Sequence, residues 1–251
     1  MINLKRFGKA LITGASSGIG EQYATKLAEM KNDLVLIARR SEKLNALAAK
    51  FRKEQGVNVD VVTADLSAEN GIGLVEDYIN QNKDVSILIN NAGFAIPQYF
   101  SESDIDRQLS MIYVHDIAVV RITRASLPFM LQRNRGIIIN ISSALAYMPK
   151  ERNAIYCASK AFINVFSESL KREISGTNIV IQSLNPGLTH SGFHSTDIFK
   201  QVGRHHYPAF LWMDADQVVS SSFNELGKKV IHIPGFKNKI LVKLYRFIRR
   251  S

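Results

Sequence analysis

A single cysteine, Cys157, in 251 residues excludes an internal disulfide. No apolar run reaches the roughly 18 residues that a membrane-spanning helix needs. The opening stretch, MINLKRFGKALIT, has neither the apolar segment nor the cleavage site of a secretory signal. These absences lead us to expect an intracellular, cytoplasmic setting. Acids are missing from residues 236–251, where Lys237, Lys239, Lys243, Arg246, Arg249 and Arg250 supply six positive charges. Of the net +10 this leaves only +4 for residues 1–235. With the basic stretch terminal and no nucleic-acid-binding motif beside it, nucleic acid is not an expected partner. A hydrophobic content of 46% in a chain of this length suffices for one substantial core. No repeat or low-complexity segment interrupts it, so one domain is expected over residues 1–235, followed by a helix over 236–251.

Seven short β-rich apolar runs, at residues 10–13, 34–38, 57–63, 87–89, 137–141, 180–184 and 230–233, alternate with longer helical patterns. Continuous apolar strands are those covered on both faces, and strand–helix alternation predicts a doubly wound α/β fold with a parallel sheet of about seven strands. Residues 190–212 fit this pattern poorly. They carry paired histidines, Gly203, Pro208 and several large aromatics, which marks a substrate lid over about 188–213.

The block TGASSGIG at 13–20 follows the first strand and opens a helix, where a nucleotide pyrophosphate meets free backbone amides. Glycine suits each position: Gly14 for a tight turn, Gly18 for close approach of phosphate, Gly20 for close packing of helix on strand. At the end of the second strand an NAD site needs an acid to accept from the ribose hydroxyls, whereas this chain has Arg39 and Arg40. A guanidinium can grip the 2′-phosphate of NADP, which favours NADP(H); alternatively both arginines begin a solvated helix with Lys43.

Tyr156 and Lys160 stand four apart on a helical pattern and so share a face. An ammonium roughly 4 Å from a phenol is worth about 4 kcal/mol at an effective dielectric near 20, enough to bring the phenol toward neutrality. Such a phenol can exchange a proton with a carbonyl or alcohol oxygen. Ser143, at the carboxyl edge of the fifth strand, is placed to polarise the same oxygen, while Ser142 is expected to point to the other side.

Taken together, TGASSGIG at 13–20, Asp65, NNAG at 90–93, Ser143, YCASK at 156–160 and PG at 186–187 resemble the short-chain dehydrogenase/reductase family over essentially the whole chain. The resemblance implies a Rossmann-type fold and an NADP-dependent oxidoreductase acting on CH–OH and C=O groups. It implies that Ser143 orients the substrate carbonyl, that Tyr156 is the proton donor, and that Lys160 lowers the tyrosine pKa and holds the nicotinamide ribose. By the same resemblance Gly14, Ser16, Ser17, Gly18, Ile19 and Gly20 line the cofactor, and Asp65 and Leu66 face adenine. Asn91, Ala92 and Gly93 flank the adenine ribose and steady the central strand, and Pro186, Gly187 and Thr189 line the nicotinamide. One position departs: His115 stands where the family usually has an asparagine whose backbone carbonyl helps hold a proton-relay water. A histidine there either titrates and shuttles protons or fills a helix interface.

Phe199, Tyr207, Phe210, Leu211 and Trp212 in the lid fit either a hydrophobic, lipid-, steroid- or acyl-like substrate or anchors for the loop or a subunit contact. His205 and His206 lack a second ligand cluster, so no metal site is expected. Projected as a helix, Ile240, Leu241, Leu244, Tyr245, Phe247 and Ile248 lie on one side and Lys239, Lys243, Arg246, Arg249 and Arg250 on the other. Such a helix can lie peripherally on the inner face of an anionic membrane, cap the substrate cleft or pack on a partner subunit. The family resemblance also implies a homo-oligomer, dimer or tetramer. Two rival readings place a catalytically weak, NADP(H)-binding regulatory protein, or a membrane-surface protein, on the same fold.

Overall fold

A computed structural model of the chain describes residues 2–191 and 208–248. Of the expected lid, Phe199, His205, His206 and Tyr207 lie outside the described residues, as do Arg249 and Arg250. Five strand–helix units open the chain: β1 (Lys9–Thr13), α1 (Gly18–Glu29), β2 (Leu34–Ala38), α2 (Ser41–Gln55), β3 (Val59–Thr63), α3 (Glu69–Asn82), β4 (Val85–Asn90), α4 (Ile105–Ile112), α5 (Ala118–Gln132), β5 (Gly136–Ile141) and α6 (Ala154–Glu173). Then follow β6 (Ile179–Leu184), β7 (Thr189–His190), β8 (Met213–Asp214), α7 (Ala215–Glu225), β9 (Ile231–His232) and α8 (Phe236–Ile248). The main sheet has seven strands in the order β3-β2-β1-β4-β5-β6-β9, all parallel. Every one of the seven sequence-predicted strands is in it.

Successive residues of each strand point to opposite faces, and each face has its own helices. Ala10 and Ile12 of β1, with Leu34 and Leu36 of β2, bury against Tyr23 and Leu27 of α1, Leu44 of α2 and Val219 of α7. Leu11, Val35 and Leu88 bury on the other face, against Ile72 and Val75 of α3, Ile122 of α5 and Leu170 of α6. This is the doubly wound arrangement, with strand order reversing on either side of β1 and β4.

A thread of buried amides and hydroxyls fixes α6 to the sheet. Asn90 Nδ2 donates to Asn140 Oδ1 at 2.8 Å and to Thr123 Oγ1 at 3.1 Å, and Asn140 Nδ2 donates to Ser167 Oγ on α6 at 2.9 Å. The short parallel ladder between β7 and β8 was not expected from the sequence. It pairs residues 189–190 with 213–214, and beside it His190 stacks on Trp212 with ring centroids 4.9 Å apart.

Replacing Asn140 by alanine removes one hydrogen bond each from Asn90 Nδ2 on β4 and Ser167 Oγ on α6 inside the core. The expected loss is about 1–3 kcal/mol, a fall in Tm of roughly 2–12 °C for a chain of this size. Thermal unfolding followed by circular dichroism checks it; an unchanged Tm means the thread holds nothing.

Candidate active site

The carboxyl ends of β1, β4, β5 and β6 converge on one edge of the sheet. There the first turn of α1 opens without a side-chain cap from Ser17, so its leading N–H groups face outward from the helix. Gly14, at φ +66°, leaves no room for a side chain: a Cβ there would lie 2.7 Å from Asn91 Nδ2. Asn91 ties the turn to β4, donating from Nδ2 to Thr13 O at 2.9 Å and from its backbone to Thr13 Oγ1 at 2.9 Å. Ser16, Gly18, Ile19 and Gly20 surround the same turn, and a Cβ on Gly20 would lie 2.4 Å from Gly14 O. A glycine-walled turn at an uncapped helix N-terminus fits a pyrophosphate.

Arg39 and Arg40 differ in their surroundings. Arg40 donates to Ser16 Oγ and Ser17 Oγ, each at 2.8 Å, and to Ser16 O at 3.1 Å, so it braces the glycine turn while also standing at the N-cap of α2. Arg39 is 72% exposed, and its guanidinium lies 3.9 Å from Asp65. Asp65 holds the following turn by accepting from the Ser67 hydroxyl at 2.7 Å and the Ser67 backbone at 3.0 Å. These hydrogen bonds and Arg39 hold its carboxyl below the usual range, against the opposing and largest influence, burial. Leu66 is buried beside it.

Ser142 and Ser143 point apart, as expected. Ser142 Oγ donates to Lys160 O in α6 at 2.7 Å. The Ser143 hydroxyl hydrogen-bonds the Tyr156 phenol and accepts from Leu145 N at 3.2 Å. Pro186 O accepts from Ala144 N at 2.9 Å, and Thr189 Oγ1 donates to Gly187 O at 3.0 Å, which brings the loop after β6 against the same edge.

The electrostatics correct one expectation. Tyr156 is buried in an apolar cluster with Ala95, Ile96 and Met111, and burial pushes its phenol up to about 12, against the lowering effect of the Ser143 hydrogen bond. Lys160 does not bring it down. Its Nζ lies 5.7 Å from the ring centroid and donates to Ile141 O at 2.9 Å. Burial instead lowers Lys160 itself to about 8, with the carboxyl of Asp116 opposing.

His115 and Asp116 lie on a single π-helical turn, Tyr113–Ile117, between α4 and α5. Phe94 N–H donates to His115 Nε2 at 3.2 Å, so the neutral ring carries its proton on Nδ1, which faces Ser159 Oγ at 2.9 Å. Ser159 in turn donates to Tyr156 O at 3.0 Å. Burial, then the nearby Lys160 charge, holds the imidazole well below its ordinary range. The histidine thus stays neutral and braces the first turn of α6 against the strand end; it is not a titrating shuttle.

Asp116 was missed by sequence reasoning, because a regular helix gives no reason for neighbours 115 and 116 both to face inward. Its Oδ1 is buried without a hydrogen-bond partner among the described residues, and burial raises its carboxyl to about 7 while the Lys160 charge opposes.

The model of the short chain dehydrogenase family matches residues 8–201. The chain belongs to that family. It is 36% identical over 184 residues to the very-long-chain 3-oxoacyl-CoA reductase of Anas platyrhynchos, covering 70% of this chain and 58% of that protein. It is also 36% identical over 186 residues to the inactive hydroxysteroid dehydrogenase-like protein 1 of Homo sapiens, covering 73% and 56%. The chain therefore spans less than three fifths of these curated relatives. Among solved structures, a short-chain dehydrogenase from Sphingobium yanoikuyae in complex with NADPH superposes with a TM-score of 0.83 at 31% identity, covering 97% of this chain and 96% of that one.

Two outcomes follow from the π turn. The ring resonances of His115, assigned by comparison with His115→Asn, show no titration around the ordinary 6.5 and keep Nε2 unprotonated at neutral pH; a midpoint near 6.5 overturns the assignment. A carboxyl raised on folding costs stability only where it must ionise, so the cost is absent below its ordinary 3.8 and complete above about 7. Asp116→Asn accordingly raises Tm at about pH 8 and not at about pH 3, by roughly 2–4 °C per kcal/mol recovered; calorimetry at the two pH values checks it.

Proposed function

We propose that this short-chain dehydrogenase is an NADP(H)-dependent oxidoreductase that moves a hydride to or from the carbonyl or secondary-alcohol carbon of a hydrophobic substrate. The observation carrying this reading is the juxtaposition of Ser143, Tyr156 and Lys160 at the sheet edge that holds the glycine turn. NADPH, when bound, supplies the hydride. Gly14, Ser16, Ser17, Gly18, Ile19 and Gly20 would hold its pyrophosphate, Arg39 and Arg40 its 2′-phosphate, Asp65 and Leu66 its adenine, and Asn91, Ala92 and Gly93 its adenine ribose. Pro186, Gly187, Thr189 and Lys160 would hold the nicotinamide side. The exposed Arg39 guanidinium and the lack of an acid at the end of β2 support NADP(H) over NAD.

In the reductive direction the Tyr156 Oη–H donates its proton to the carbonyl oxygen while Ser143 Oγ–H donates a hydrogen bond to it. A phenol at about 12 is protonated at neutral pH, which suits it to act as the acid. The apolar cluster around that ring, with Ile96 and Met111 buried and Leu145 and Ile155 partly so, supports a lipid-, steroid- or acyl-like substrate over a sugar. We further read residues 1–235 as one catalytic domain with its lid at about 188–213, working in the cytoplasm as a homodimer or homotetramer.

A second reading, a catalytically weak NADP(H)-binding regulatory protein, is favoured by His115 and by the resemblance to a relative named as inactive. Titration with NADPH and NADH by fluorescence, followed by a panel of hydrophobic ketones, separates the two. Turnover preferring NADPH is expected, reduced about 10²–10⁴-fold in Tyr156→Phe with NADPH binding retained. Arg39→Ala should weaken NADPH at least about tenfold and NADH little, as befits loss of a charge-assisted phosphate contact. Tight NADPH binding without turnover on any ketone selects the regulatory reading; binding of neither nucleotide overturns both.

A further inference from the structure

The terminal helix α8 meets the rest of the chain through a narrow stripe. Asn238 and Val242 are its buried residues, and Asn238 packs so closely on the loop after β6 that a Cβ on Gly187 would lie 2.5 Å from its Oδ1. Further along, Tyr245 OH donates to Pro149 O at 3.3 Å, and the Arg246 guanidinium lies 5.7 Å from the Tyr147 ring centroid. Near its start, Lys237 Nζ lies 5.1 Å from the centroid of Phe210, at the base of the lid. The helix is thus fastened across the two loops that flank Ser143 and Tyr156.

Its broad apolar face points the other way. On a helix turning about 100° per residue, Phe236 and Ile240 fall opposite the docked stripe, Leu244 lies next to them and Ile248 at the flank; Phe236 is 76%, Leu244 54% and Ile248 72% exposed. These side chains look outward, away from the loops that the helix crosses. Lys237, Lys239 and Lys243 accompany the apolar face, and residues 236–251 contain no acid. Glu225 on α7, which feels the Lys239 charge, is already paired with Lys228 at 3.0 Å.

We infer that the outward face of α8 docks the mouth of the active site onto an anionic lipid surface. An outward apolar stripe accompanied by cations matches such an interface in both chemistries: apolar side chains enter the boundary between headgroups and acyl chains, and the ammonium groups stay with the phosphates. A second copy of the chain is the poorer occupant, because pairing this face with itself brings the same lysines together across an interface with no acid to offset them. The inference does not depend on the identity of the nucleotide or on turnover.

The test uses the full chain and sedimentation with vesicles of phosphatidylcholine alone or of phosphatidylcholine with phosphatidylserine. Binding to the anionic vesicles is expected, at least about tenfold tighter than to the neutral ones and weakened at high salt. Ile240→Glu/Leu244→Glu and, separately, Lys239→Glu/Lys243→Glu should each lose at least about tenfold of that binding. Because these side chains are exposed, Tm and NADPH binding should stay those of the parent. Failure of the parent to bind anionic vesicles overturns the inference, as does undiminished binding by Ile240→Glu/Leu244→Glu. A parent oligomer that falls apart in Ile240→Glu/Leu244→Glu on size-exclusion chromatography with light scattering, or capture of a soluble acidic protein in place of vesicles, also overturns it by giving the face to another occupant.

Discussion

The site depends on the clasp between Thr13 and Asn91. Where the strand order reverses, the ends of β1 and β4 must stay adjacent while the segments that follow diverge to opposite faces of the sheet. Thr13 Oγ1 accepts from the backbone of Asn91 at 2.9 Å and of Ala92 at 3.0 Å, and Asn91 returns a bond to Thr13 O. Five polar atoms thus hold two divergent loops at one separation. The glycine turn leaves from one side of the clasp and the segment leading to His115 and Lys160 from the other. The backbone beside Gly14 is packed so tightly on Asn91 and Ala92 that no methyl group fits between them.

Burial dominates charge throughout the site. Tyr156, Lys160, His115 and Asp116 all lie in or near the interior, and for each the largest influence is desolvation, which favours the uncharged form. The site is therefore set toward neutrality, with a protonated phenol and a neutral imidazole. The attraction between Lys160 and Asp116 only partly offsets this. A hydrophobic wall close to the phenol and a low-charge interior are two aspects of the same packing.

Much of this was legible from the sequence, because parallel strands buried on both faces are written as uninterrupted apolar runs and a glycine turn between strand and helix has few other uses. The four-residue interval between Tyr156 and Lys160 correctly put them on one face. It could not reveal that Lys160 would turn to Ile141 O, since a choice of hydrogen-bond partner depends on what lies across the interface. Nor could it reveal how deeply the phenol is buried. The ladder of β7 and β8 escaped notice because two-residue strands have no detectable period. The amphipathic pattern of the last helix was correct, but it could not tell which side would dock: the residues that meet the domain are Asn238, Val242 and Tyr245, away from the middle of the apolar face.

The π turn at Tyr113–Ile117 also changes how this stretch of chain must be compared with others. One wide turn breaks the phase of the helical wheel, so residues on α4 and α5 that are multiples of 3.6 apart across it do not share a side. An ungapped alignment with a relative whose helix lacks the wide turn would place correct letters on wrong faces. The faces of α4 would then be rotated by about 100° without a single residue being misread, and only a comparison in space would show it.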